Sequence, residues 1–350
     1  MVSKSDIWRW FGRPAENLTE KARSAEELTS RNMKRALELA SQKVRDARKL
    51  ADPQERTEVG VSLMMRWVMP VLGERQDYQP RRINFVRTAG LPHHAPPPLP
   101  RPVLFLHGYN AAVTEFCEMV SWLSGCEANR DGGRLGLDNL DDIDGRSRLF
   151  RLEFTTPYQR VSDNVLELSA AVEAICRAAH CDKIDVVAHS KGGLDVRAYL
   201  DEDNSRLARV VTIATPHKGA ELADLFCRFR QKLGEEKLAC DDNILHLEML
   251  REFFVDETDA NGIPNNEFLY RLNANWQRQC GQTRFLTLGG VGVPTFTAGG
   301  LTINGDGIVT FASAAALPGA QTGEIRGVIH SHLPATVAAM EQTASFLTAT

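Results

Sequence analysis

Long apolar runs are missing from this 350-residue chain. No stretch approaches the ~20 consecutive apolar residues that a membrane-spanning helix requires. A surplus of one charge is missing too: 41 Lys and Arg against 45 Asp and Glu leave a formal net charge of -4. That balance offers no basic field to a nucleic-acid partner. Cysteine is sparse, seven residues with no C-x-x-C pair, which argues against a disulfide framework or a zinc site. The opening residues, Met1 to Trp8, lack the apolar core of a secretory signal. The expectation is a cytoplasmic protein with reduced thiols, although export by a signal-less route would leave the same sequence.

What is present is concentrated in one stretch, Val186-Val187-Ala188-His189-Ser190-Lys191-Gly192-Gly193-Leu194. A β-branched run ends in a serine flanked by small residues, and a helix-forming segment follows. This is the strand-turn-helix setting of a G-x-S-x-G nucleophile elbow, with Ala188 in place of the first glycine. The turn is sharp, so a bulky Cβ at position 188 or 192 would collide with neighbouring backbone. A serine N-cap on a βα turn is the plainer reading of the same pentapeptide.

Four further segments bear on the choice. Pro102 to Tyr109 is an apolar strand closing in His107-Gly108, and Thr215-Pro216-His217-Lys218-Gly219 lies downstream of the serine. Asn304-Gly305-Asp306-Gly307-Ile308-Val309 and Val328-Ile329-His330-Ser331-His332-Leu333-Pro334 follow. The order Ser, acid, His is the one expected of an α/β-hydrolase. On these motifs, residues 100–350 resemble the bacterial lipases and esterases of the α/β-hydrolase superfamily. Ala188 to Gly192 match an Ala-His-Ser-x-Gly elbow, and His107-Gly108 match the end of the oxyanion strand. Thr215 to Gly219 match the Thr-Pro-His-x-Gly segment, and Asp306 to Val309 match the acid's Asp-Gly-hydrophobic-Val. A single motif decides nothing; five in this order point one way.

The resemblance implies a mostly parallel central sheet flanked by helices, and a Ser190, Asp306, His330 triad. A serine hydroxyl needs a base to take its proton as it attacks. His330 stands three residues before Leu333, as the histidine often does in that family, and His332 is its rival. Asp306 would orient the imidazole and stabilise its cation, with an Asx turn as the alternative. The backbone N–H groups of Tyr109 and Lys191 would receive the oxyanion, while His107 orders its loop. Lys191 and Asp195 are spaced for an ion pair along a helix, and a salt bridge beneath that helix is expected of Arg197. The reading calls for no metal and no organic cofactor. Its substrate is an acyl ester or lipid, with peripheral membrane contact open. Thioesterase, phospholipase and polyester depolymerase chemistry use the same apparatus. A catalytically silent binding scaffold is the alternative from another class.

The chain divides into a helical extension over 1–90, a Pro-rich linker over 91–101 and a catalytic domain over 102–350 with a cap insertion at about 220–280. In the extension, Ser24 to Glu27 read as a capping box. Met33, Leu37, Ala40, Val44, Ala47 and Ala51 form an apolar stripe suited to packing on the parent domain or to a coiled coil. Val61 to Leu72 is apolar but too short to cross a membrane, fit to dock on the core, with an interfacial or acyl-binding role as the alternative. Alternating patterns place strands at 83–88, 102–107, 148–154, 183–188, 208–214, 283–288 and 324–329. Helices are expected at 112–124, 162–179, 191–202 and 335–348, the last entered at Pro334. Residues 126–147, rich in Asp, Gly and Arg, read as a solvated loop, with calcium binding by Asp138, Asp141, Asp142 and Asp144 as the alternative. The cap carries Phe253 and Phe254 among clustered apolar residues, candidates for binding an acyl chain.

Overall fold

The computed structural model describes residues 91–109, 111–156, 159–202, 206–223, 251–258, 262–293, 295–297, 300–302 and 304–349. The capping box, the Met33 to Ala51 stripe, the Val61 to Leu72 segment and the strand at 83–88 lie outside them. So do the cap residues 224–250.

Strands β1 (Val103–Leu106), β2 (Asp131–Leu135), β3 (Leu149–Leu152), β4 (Ile184–His189), β5 (Leu207–Ile213), β6 (Arg284–Val291) and β9 (Gln321–Arg326) make a seven-stranded sheet. Its order is β2-β3-β1-β4-β5-β6-β9, and every neighbouring pair is parallel. A short antiparallel ribbon, β7 (Thr295–Thr297) with β8 (Gly300–Thr302), stands apart. Among the described residues the helices are α1 (Cys117–Leu123), α2 (Val161–Ala179), α3 (Lys191–Glu202), α4 (Glu267–Ala274), α5 (Trp276–Cys280), α6 (Phe311–Ala314) and α7 (Val337–Thr348).

A parallel sheet covered on both faces demands strands that are apolar throughout, and all six residues of β4 are buried. Alternate side chains serve opposite layers. Leu104, Leu106, Val186 and Ala188 join the core beneath α2 and α3, whereas Val103, Phe105 and Val187 join the core beneath α1 and α7. This is an α/β-hydrolase fold. From β1 the chain first builds β2 and β3 on one side and then crosses to β4 on the other. The carboxyl ends of β1 and β4 therefore form the crevice at which such sheets bind ligands.

Three expectations are corrected. Residues 131–135 are an edge strand, not loop; their exposed polar pattern hides them, and Gly133 takes a left-handed φ of 82° at the register shift against β3. The last sheet strand spans 321–326 instead of 324–329, so His330 lies beyond it in a 3-10 turn over His330–Ala335. Pro334 sits inside that turn, and α7 starts at Val337 with the Thr336 side chain accepting from Ala339 N–H. The aspartates of the 131–144 segment face arginines: Asp131 with Arg151, Asp138 with Arg134, Asp144 with Arg146 and Arg130.

Candidate active site

Ser190 occupies the single residue between β4 and α3. Its φ of 52° is left-handed, a conformation a non-glycine residue adopts at a cost. The residues that follow it explain why small side chains are needed there. A Cβ on Gly192 would lie 2.8 Å from the carbonyl oxygens of Leu106 and His107, and one on Gly193 would lie 2.0 Å from Thr215 Oγ1. The elbow thus exists only because α3 can approach the ends of β1 and β5 this closely.

The serine hydroxyl donates to His330 Nε2 at 2.9 Å. On the far side of the ring, His330 Nδ1–H donates to Asp306 Oδ2 at 2.9 Å. Asp306 is itself buried, its Oδ1 accepting from the backbone N–H groups of Ile308 and Val309 at 2.9 and 2.8 Å. Those contacts are an Asx-type turn, so the plainer role expected for Asp306 coexists with its contact to the imidazole. Gly307, with φ of 101°, supplies the left-handed residue the loop needs. The His330 N–H also donates to the Asp306 carbonyl, fixing the two loops together. The ring that reaches Ser190 is that of His330.

Lys191 opens α3, so its backbone N–H is among the first-turn amides without an intrahelical acceptor. Tyr109 follows the His107-Gly108 pair at the end of β1, and His107 Nδ1 meets the Gly108 carbonyl at 2.8 Å. His107 is buried, with its ring edge-on to Phe154. Phe253 is buried with Val161, Leu194, Leu269 and Leu272, and its ring stands 6.0 Å from that of Tyr109. Phe254 is partly buried at the margin of the same cluster.

Lys191 Nζ pairs with Asp195 Oδ1 at 2.8 Å, as the spacing implied, and Asp195 Oδ2 accepts from the Asn164 amide. Arg197 corrects the expected salt bridge. It donates to Gln279 Oε1, the Leu272 carbonyl and His217 Nδ1, all neutral acceptors. Burial pushes its pKa down to about 9. His217 is held well below the usual histidine range by burial and by Arg197, so it is neutral and donates Nε2–H to Thr212 Oγ1.

Two further carboxylates carry no signal in the sequence. Glu115, on the 3-10 turn Val113–Phe116, meets the His189 ring at 2.8 Å. Glu252 accepts from Val161 N–H at the start of α2, and burial pushes its pKa up to about 7. Neither sits in a motif, because only folding brings their partners near.

The palmitoyl protein thioesterase family model matches residues 102–289. The chain belongs to that family. The match contains Ser190 and ends before Asp306 and His330. Triacylglycerol lipases of Pseudarthrobacter phenanthrenivorans and Burkholderia plantarii are each 28% identical over 131 residues, covering 35% of this chain and 35% and 31% of theirs. This member of the family thus spans about a third of the length of those curated relatives. Phospholipase PlaB of Legionella pneumophila superposes with a TM-score of 0.51 at 14% identity, over 71% of this chain and 60% of its own. That likeness concerns the fold.

Proposed function

We propose that the protein is a serine hydrolase of the lipase and esterase kind, cleaving carboxylic esters through an acyl-enzyme on Ser190. What supports the reading is one observation: a left-handed serine at a strand end, in line with His330 and a buried Asp306. As Ser190 Oγ attacks the acyl carbon, its proton passes to His330 Nε2, and Asp306 stabilises the imidazolium. Negative charge gathers on the carbonyl oxygen, where the N–H groups of Tyr109 and Lys191 receive it. Each such donor is worth roughly 2.7–4 kcal/mol. Collapse expels the alcohol, which leaves with the His330 proton. Water then attacks the acyl-serine by the same steps and regenerates the hydroxyl.

A thioester is the second reading, favoured by the family match. A thiolate leaves more readily than an alkoxide, so the same site serves both. In either case Phe253, Phe254 and their neighbours form the acyl-binding wall, where each buried methylene contributes about 0.8 kcal/mol. The experiment is turnover of p-nitrophenyl esters of graded chain length beside the matching acyl thioesters, with Ser190→Ala as control. Activity should rise from acetyl to longer chains and vanish in the variant. Preference for the thioester series at every length would favour the second reading; no turnover of either would overturn both.

A further inference from the structure

A second carboxylate–imidazole pair lies directly behind the first. Glu115 and His189 are almost wholly enclosed, with side chains 10% and 2% exposed. Three short backbone segments meet on them. His189 immediately precedes Ser190 in the elbow. Its Nε2–H donates to the backbone carbonyl of His330 at 3.1 Å, and its Nδ1 faces Glu115 Oε1 at 2.8 Å. The other carboxylate oxygen, Glu115 Oε2, accepts from Gly108 N–H at 2.9 Å. We propose that Glu115 and His189 form a positioning pair that holds the His330 turn and the Gly108–Tyr109 peptide in register with Ser190. The proposal rests on the reading of Ser190 as nucleophile.

The geometry places one proton on His189 Nε2 and a second between Nδ1 and Glu115 Oε1. A carbonyl can only accept, so His189 Nε2 carries a hydrogen. Nδ1 faces a carboxylate whose second oxygen is already accepting, and a proton there makes the ring a cation with a matched anion. The ionisable side chains that face this ring are Glu115, Asp306 and His330, with His107 on the Glu115 side. Burial alone would lower the His189 pKa and raise that of Glu115. The partner outweighs burial in each case with help from its neighbours, Asp306 and the His330 carbonyl for His189, Gly108 N–H and His107 for Glu115, so His189 stands above its ordinary value and Glu115 below.

Two consequences concern the reaction. The Gly108 residue is held at both ends, its N–H by Glu115 and its C=O by His107. The peptide plane that ends in Tyr109 N–H is thereby fixed before substrate arrives, which is what an oxyanion donor requires. The His189 and His330 ring centroids are 4.8 Å apart. His330 must become cationic during attack, so the charge on His189 is tolerable only while Glu115 compensates it. Loss of the carboxylate leaves either an opposing cation or a ring with one donor fewer.

The test uses the full chain with Glu115→Gln, His189→Gln and the double variant. Each single change should lower kcat on a p-nitrophenyl ester by about ten- to a hundredfold, the scale of a small misplacement of reacting groups, with KM little changed. The double variant should be no slower than the worse single one, because the pair acts as a unit. Nitrogen-15 spectra of the histidine rings should show both His189 nitrogens protonated at pH 7.5 in the wild type, and one only in Glu115→Gln. If Glu115→Gln does not fold, His189→Gln carries the same kinetic test. Unchanged kcat in folded variants, with only the melting temperature lowered, would overturn the pair. So would a neutral His189 in the wild type. Ser190 labelling by a fluorophosphonate separates the two proposals. A wild type that is neither labelled nor active refutes the hydrolase reading, whereas equal labelling rates in wild type and Glu115→Gln refute the positioning pair alone.

Discussion

Lys191 Nζ lies 2.8 Å from Asp195 Oδ1, one helical turn along α3, with both side chains sealed from solvent. Such a pair contributes little beyond the cost of taking two charges out of water, yet removing one partner strands the other. Asp195→Asn should therefore cost about 3–5 kcal/mol of stability, read as a lower urea midpoint. Lys191→Met with Asp195→Leu should recover most of the loss. A double variant as unstable as the single one would show that Asn164, which also bonds Asp195, carries the stability instead.

The left-handed backbone of Ser190 stores strain. Ser190→Gly should remove turnover while raising the unfolding free energy by about 1 kcal/mol, since glycine adopts this φ freely. Chemical denaturation of both proteins checks it. A destabilised glycine variant would mean that the His330 contact outweighs the strain.

The two histidines of the 3-10 turn should separate cleanly in kinetics. His330→Ala should lower kcat by several orders of magnitude, because the proposed triad would act as a unit. His332→Ala should change it far less, because the ring within reach of both Ser190 and Asp306 is that of His330.

Glu252 gives a pH signature. Burial sets its folded pKa at about 7, above the ordinary carboxyl value of 4.5, although its bond to Val161 N–H and the nearby Lys191 oppose the shift. The folded state therefore holds a proton that the unfolded chain has lost between those values. That contribution is complete below pH 4.5 and disappears as pH rises to about 7. Wild-type stability should fall across this window more steeply than that of Glu252→Gln. Parallel curves would place the titration elsewhere.

Part of this protein was legible residue by residue. The β-branched run into Ala188-His189-Ser190 fixed a buried parallel strand, and its small neighbours fixed a sharp turn, because both follow from local sterics. The limits of α3 were read correctly for the same reason, and the Lys191–Asp195 pair followed from helical spacing alone. Where burial is one-sided or absent the sequence is mute. β2 shows polar residues to solvent at the sheet edge, so no periodicity marks it. Which histidine meets Ser190 depends on a turn whose direction is set by Asp306, 24 residues earlier, through two bonds to His330. The charge of Arg197 predicts an ionic partner, but packing surrounds its guanidinium with neutral hydrogen-bond acceptors. Glu115 and His189 are 74 residues apart. Only closure of the sheet between β1 and β4 brings that carboxylate to that ring, and no local pattern encodes a meeting enforced by tertiary packing.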